Sequence, residues 1–203
     1  MARTQAADYD QRRAAIVDKA AELYARRGFA GASVADLAAA LGTSKSLIYH
    51  YYPSKEDILF EVMDQHLRQL TGAADWVMAQ TQDPAEKLRE IARAFMRLYV
   101  GAAARHKVLL NELDSLPPER RAEIVQRQRR LIGAVEGLLV EIQPRLAVHP
   151  QSLRPAAMLF FGMINWTHTW FREDGRASAA QVADLAADMA LRGLEGLSKP
   201  PLP

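Results

Sequence analysis

The chain has 203 residues, 49% hydrophobic and 25% charged. That composition fits a soluble globular protein of one large or two modest domains. It has no cysteine, which excludes disulfides and cysteine-ligated metals. A net charge of +2 points only faintly to nucleic acid. Residues 1–60 carry eight Lys/Arg against seven Asp/Glu, so any binding of phosphate there must come from the placement of charge rather than its total.

The opening stretch, MARTQAADYDQRR, is polar and lacks the apolar core of a secretory signal. The most apolar run, Ala156 to Trp166, falls short of the roughly 20 residues that span a bilayer. The expectation is a cytoplasmic protein with no membrane partner. No stretch alternates with period two, so the chain reads as all-helical. No internal repeat of about 20–50 residues is visible.

The spacing predicts a first helix from about Tyr9 to Arg27, with Ile16, Ala20 and Leu23 as its stripe. Arg26 and Arg27 complement its negative end, and Gly28 terminates it. Phe29 then packs back against Tyr24. Arg12 and Arg13 read equally well as phosphate contacts or as a solvated face.

Val34, Leu37, Ala38 and Leu41 recur at i, i+3, i+4 and i+7, one apolar face. Ser33 and Asp36 form the Ser-x-x-acid pattern of a capping box at its start. Gly42 stands where a left-handed terminating glycine belongs. Thr43 and Ser44 can cap another helix at once, and two short helices joined so tightly must cross steeply. That second helix ends before Pro53, which biases Tyr52 out of the α region. Ile48 and Tyr52 are its natural buried pair. Lys45, Ser46, Leu47, Tyr49 and His50 are left on outer faces, with Tyr51 at the edge. Lysine and hydroxyl groups on a short exposed helix suit phosphates and base edges. Lys55, just past Pro53, stands within reach of a backbone phosphate.

Residues 12 to 62, through Ile16, Ala20, Leu23, Gly28, Ser33, Val34, Ile48, Tyr49, Tyr52, Pro53, Lys55 and Leu59, resemble the DNA-binding domain of the tetracycline-repressor (TetR/AcrR) family of bacterial regulators. Tyr52 stands where the family often has Phe, and Leu47 where it often has Thr or Ser. The resemblance implies a DNA-facing set of Ser33, Thr43, Ser44, Lys45, Ser46, Leu47, Tyr49, His50, Tyr51 and Lys55. It also implies a double-stranded operator as partner.

Ser54 caps the next helix, whose apolar positions Ile58, Leu59, Val62, Met63, Leu67 and Leu70 carry it to about Ala79. His66 on it reads as a surface or hydrogen-bonded histidine. Asp83-Pro84 opens a helix bearing Leu88, Ile91, Ala92, Phe95, Met96 and Tyr99. A shorter helix is predicted from His106 to Ser115. Pro117 or Pro118 starts a longer one lined by Ile124, Leu131, Val135, Leu138 and Ile142, with Arg120, Arg121, Arg127, Arg129 and Arg130 on its other sides, a solvated face or, as the competing reading, an anion site. Residues 151–173 read as one apolar helix ending at Gly175. Its apolar residues lie on nearly every side, which calls for burial from two directions, by its own core and by a second subunit. Ser178-x-x-Gln181 caps the last helix, with Val182, Leu185, Ala186, Met189 and Leu194. The tail from Lys199 to Pro203 is expected to be disordered.

No Gly-rich phosphate loop, HExxH, GxSxG or DxDxDG loop is present, so the sequence does not point to an enzyme, a metal or a cofactor. The segment GMINWTHTWFREDGRAS is similar to TetR/AcrR regulators of fatty-acid, aromatic-acid and steroid catabolism, several of which sense acyl-CoA thioesters. The resemblance implies a small-molecule effector, an acyl-CoA in the first instance. Phe95, Met96, Tyr99, Phe161 and Trp166 would hold its acyl or aryl group, Asn165 or His168 would meet the thioester carbonyl, and Arg172 first, then Arg127 and Arg130, would meet phosphate. For any one of these residues a plain packed core is the competing reading.

The expected fold class is all-α: an N-terminal three-helix domain with a helix-turn-helix over residues 1–56, then a larger helical ligand-binding and dimerisation domain over residues 57–203. The expected function is a homodimeric transcriptional regulator, a repressor released from a palindromic operator by a small molecule. The alternative is a DNA-binding dimer with no effector.

Overall fold

A computed structural model describes residues 2–80, 83–148 and 150–196; the tail from Lys199 lies outside them. The helices are α1 (Ala2–Arg27), α2 (Val34–Ala40), α3 (Lys45–Tyr51), α4 (Lys55–Gln80), α5 (Pro84–Gly101), α6 (Ala103–Asn111), α7 (Pro118–Ile142), α8 (Pro150–Asn165), α9 (Thr167–Trp170) and α10 (Ala179–Gly196). Short 3-10 turns cover Leu113–Ser115 and Pro144–Val148. Among the described residues there is no strand, as the sequence predicts. No helix among them is long and apolar enough to cross a membrane.

The chain divides into two compact units, Met1–Leu67 with Ala102–Gln126, and Arg68–Gly101 with Arg127–Pro203. A single cut after residue 56 therefore does not describe the packing. The first turns of α4 complete the core of the N-terminal unit with Ile58, Leu59, Val62 and Met63, all fully buried. The later segment from Ala102 also packs there, with α6 lying along α1.

In the first unit α1 begins at Ala2, earlier than the expected Tyr9. The residues before Tyr9 include three alanines and no Gly or Pro, so nothing stops the helix from propagating outward. Ile16, Val17, Ala20, Leu23 and Tyr24 are buried, as are Leu37 of α2 and Ile48 of α3. Gly28 takes φ 74°, and Phe29 folds back so that its ring lies 5.3 Å from that of Tyr24. Arg105 of α6 pairs with Asp18 of α1. His66 is completely buried rather than on the surface. It meets His106 of α6, Nε2 to Nδ1, at 3.2 Å. Burial first, and then the charge of Arg105, push the His66 pKa down to about 4. Arg120 of α7 pairs with Asp57 at 3.1 Å and lies over the Phe60 ring at 4.4 Å, so it is not simply a solvated arginine.

In the second unit α10 lies along α5, with α8 against both. α10 buries a stripe of Ala183, Ala186, Ala187, Leu191 and Leu194, and its alanines admit close approach. Two arginines clip the pair. Arg89 donates to Asp188 at 2.9 and 3.1 Å, and Arg93 donates to Asp184 at 2.5 Å. The Ser178/Gln181 box is formed, with bonds of 2.8 and 3.2 Å.

The helix expected over residues 151–173 stops at Asn165, and α9 is a single turn. Side chains occupy the carbonyls that a continuing helix would use. Thr167 Oγ1 donates to Ile164 O at 2.5 Å, His168 Nδ1 meets Asn165 O at 2.7 Å, and Thr169 Oγ1 donates to Trp166 O at 2.8 Å. Such local bonds compete with the helical ladder. Gly175 consequently sits in a later turn, donating to Arg172 O at 3.0 Å, and does not end the helix. The expected shorter helix also shifts, to α6 at Ala103–Asn111, because alanine is the best helix former.

Candidate nucleic-acid interface

The turn between α2 and α3 is built by backbone bonds. Gly42 takes φ 62° and donates to Ala39 O at 3.2 Å, while Thr43 N donates to Ala38 O at 2.9 Å. These two bonds make a Schellman motif, which requires the left-handed residue that glycine supplies most cheaply. Ser44 caps α3 by accepting from Leu47 N at 3.1 Å, and such a cap contributes about 1 kcal/mol. Ile48 and Tyr52 are the buried pair, at 0% and 3% exposure. Their burial turns the opposite side of α3 outward.

On that side Ser44, Lys45, Ser46, Tyr49 and His50 are exposed, while Thr43, Leu47 and Tyr51 are half-buried. The expected outer and edge residues of α3 therefore share one surface. A shallow groove of about 250 Å³ runs beside it, lined by Arg12, Ala15 and Ile16 of α1 with Leu41, Gly42, Thr43, Leu47, Ile48 and Tyr51. Leu47 thus rests against a partly apolar wall, which makes an outward leucine tolerable. Such a surface can place lysine and hydroxyl groups on phosphate and an apolar side chain in a groove.

Two members of the expected set are committed elsewhere. Ser33 Oγ donates to Asp36 Oδ2 at 2.5 Å and accepts from Asp36 N at 3.1 Å, while Ser33 N donates to Asp36 Oδ2 at 2.9 Å. The closed box holds the Asp36 carboxyl below the ordinary range, chiefly through the bond from the Ser33 side chain. Lys55 donates to Phe29 O and lies over the Phe29 ring at 3.8 Å. Its ammonium is drawn inward by that carbonyl, at the start of the α1–α2 connection, and by the ring faces of Phe29 and of Tyr24 in α1. Lys55 thus braces the domain, and any phosphate would have to share it.

Arg13 also turns inward. Its Nε donates to the Tyr52 hydroxyl at 3.4 Å, and Glu61 lies 3.8 Å away. Sequence reasoning passed over Tyr9, whose ring packs on Tyr51 at 4.8 Å. It stands one turn before Arg13 on α1, and that spacing was the available clue.

In the second unit the expected effector residues separate. Phe95, Met96, Tyr99 and Phe161 are buried together, with Phe95 stacked on Phe161 at 6.1 Å and 6.2 Å from Tyr99. Burial raises the Tyr99 pKa above its ordinary value. Asn165 and His168 are half-buried at the α8–α9 break. Trp166 is 65% exposed and Arg172 is exposed, so neither joins the buried aromatic cluster. Trp166 still makes a regular helical bond, its N–H to Gly162 O at 3.1 Å, and continues the outward face of Leu159 and Gly162, while Arg172 follows the end of α9. Among the described residues no group of three His, Asp or Glu stands ready to hold a metal.

α8 and α10 turn large apolar side chains outward: Leu159 at 70%, Met158 at 49%, Leu185 at 62% and Met189 at 59% exposure.

The description "bacterial regulatory proteins, tetR family" fits residues 16–62. The description "tetracyclin repressor-like, C-terminal domain" fits residues 81–194. The chain is 34% identical to a TetR-family transcriptional regulator from Bordetella parapertussis, whose crystal structure superposes with a TM-score of 0.86 over 93% of this chain and 98% of that one. It is 29% identical to AibR, seen in complex with isovaleryl coenzyme A and operator DNA, with a TM-score of 0.78 over 88% of this chain and 97% of that one. It is 24% identical over 181 residues to the fatty acid metabolism regulator protein of Bacillus subtilis, covering 88% of this chain and 93% of that protein.

Proposed function

We propose, for a chain that belongs to the tetracycline-repressor family of DNA-binding transcriptional regulators, that it is a homodimeric repressor released from a palindromic operator by an acyl-CoA thioester. The observation that carries the DNA half is the surface of α3, where Ser44, Lys45, Ser46, Tyr49 and His50 stand exposed over buried Ile48 and Tyr52. Leu47 offers an apolar contact for a thymine methyl, and Lys45 and Tyr49 bind phosphate. Thr43, Ser44 and Ser46 supply hydroxyl groups. In a two-fold dimer two recognition helices would meet successive major-groove turns, about 34–36 Å apart.

The dimer half rests on the outward apolar faces of α8 and α10, which suit an isologous interface. The effector half draws support from AibR and from the Bacillus subtilis regulator. Phe95, Met96, Tyr99 and Phe161 would part to receive the acyl group, Asn165 or His168 would meet the thioester, and Trp166 and Arg172 would lie at its outer end. The effector works only through different affinities for two states of the protein. The mutual packing of Phe95, Tyr99 and Phe161 favours a second reading, a DNA-binding dimer without an effector.

The test begins by selecting duplexes from a random pool with the full-length protein. The complex is then titrated with isovaleryl-CoA, longer acyl-CoA thioesters and the matching free acids. Release by a thioester but not by its acid supports the proposal. Release by acids alone overturns the effector class, and no release by either favours the second reading. Failure to enrich any duplex overturns the DNA-binding reading.

A further inference from the structure

α1 grips the end of α3 with one face. Tyr9 and Arg13 stand at i and i+4, one above the other. Arg13 reaches Tyr52, with its guanidinium 5.0 Å above the ring. Tyr9 takes the other side. Its ring lies 4.8 Å from Tyr51, tilted by 42°, and 6.5 Å from His50, edge-on at 84°. His50 and Tyr51 in turn lie 5.2 Å apart at 83°. Each of the three rings therefore touches the other two.

Tyr9 remains 39% exposed, so its ring is not a core residue. It is spent on two side chains of the outward surface of α3. That helix has only seven residues, and its C-terminal end is closed by a single backbone bond, Tyr52 N to Ile48 O. Within α3 these two rings meet each other edge-on, and Tyr9 adds a contact to both from a second helix. Mobile aromatic side chains lose freedom when they bind, which weakens association. Stacking them beforehand moves that cost from binding to folding.

We propose that Tyr9 is a positioning residue for operator recognition, holding His50 and Tyr51 in one arrangement before DNA arrives. The proposal rests on reading α3 as the recognition helix. The ring of Tyr9 matters and its hydroxyl does not. Loss of the ring degrades base preference and leaves the attraction to phosphate intact.

The experiment uses the full-length protein and a duplex enriched by it from a random pool. Affinities of Tyr9→Phe, Tyr9→Ala, Tyr9→Met, His50→Ala and the Tyr9→Ala/His50→Ala double variant are measured over a salt series, with melting followed in parallel. Tyr9→Phe should bind within about two-fold of the parent, and Tyr9→Ala about ten-fold more weakly, with an unchanged salt slope and relaxed preference at the base pairs nearest the end of α3. Tyr9→Met fills the space without a ring; it should melt like the parent yet bind like Tyr9→Ala, which separates positioning from folding. The losses from Tyr9→Ala and His50→Ala should be clearly less than additive. Parental binding by Tyr9→Ala or by Tyr9→Met overturns the proposal, as do additive losses. Equal weakening of Tyr9→Phe and Tyr9→Ala on every duplex alike, with base preference kept, makes the neutral hydroxyl a phosphate contact instead. A duplex pool that never enriches overturns the recognition-helix reading itself, whereas an enriched duplex indifferent to Tyr9 overturns only the positioning role.

Discussion

α3 and α10 are both helices that bury one side and expose the other, but their exposed sides carry opposite chemistry. α3 buries Ile48 and turns out Lys45, Ser46, Tyr49 and His50. α10 buries a stripe of alanine and leucine and turns out Leu185 and Met189, with Leu159 and Met158 exposed on α8. Hydroxyl, ammonium and imidazole groups are at home in water and can exchange it for phosphate and base edges. A concentration of leucine and methionine gains nothing from water and is relieved only by another apolar surface. Outward chemistry, rather than helicity, distinguishes a surface suited to DNA from one suited to a second copy of the chain.

The largest way to break the contrast is to give α10 the polar character of α3. Leu185→Asp with Met189→Asp places two carboxylates on each side of the proposed two-fold interface. The expected outcome in analytical ultracentrifugation is a monomer, with operator affinity lowered by about three orders of magnitude or more, because a monomer engages only one half-site. Persistent dimers would move the interface elsewhere.

The next effect concerns what lies beneath each surface. The first unit contains the buried His66–His106 contact. His66 has its folded pKa near 4, below the unfolded value of about 6.5. Above pH 6.5 both states carry the neutral ring and the stabilisation is complete. As pH falls from 6.5 toward 4, the unfolded chain takes up a proton that the folded chain refuses, and up to about 3 kcal/mol is lost. Hydrogen exchange should show the first unit opening ahead of the second over this range, and His66→Leu should flatten most of the pH dependence. An unchanged slope in that variant would assign acid sensitivity to other groups.

A smaller effect sharpens the reading of α3 from within, since Leu47 is an apolar side chain on the polar surface. Leu47→Ala should relax preference at one base pair by about 1 kcal/mol, measured by competition between single-substituted duplexes. No change at any base pair would remove Leu47 from base readout.

The smallest effect separates two lysines. Lys45 is exposed, whereas Lys55 is bonded to Phe29 O. Lys45→Ala should lower the salt slope by about one unit for every duplex alike. Lys55→Ala should lower the melting temperature more than it alters the slope, and the reverse pattern would restore Lys55 as a phosphate contact.

Local sequence was enough to determine the helices and their ends wherever one residue type has a strong conformational preference. Gly28 and Gly42 adopt the left-handed backbone, the Ser33 and Ser178 boxes form, and the burial of Ile48 with Tyr52 follows from their spacing. These are interactions across a few residues, and periodicity and capping express them directly. Tertiary structure alone decided the rest. Lys55 turns inward because Phe29, 26 positions away, offers a carbonyl and a ring. His66 is buried because His106, 40 positions away, meets it. Arg172 is left outside because α8 stops at Asn165, where Thr167, His168 and Thr169 take the carbonyls that would have extended it. A side chain with several donors, or one with both polar and apolar parts, has more than one favourable partner. Which partner it takes depends on residues that sequence distance conceals and that folding brings within reach.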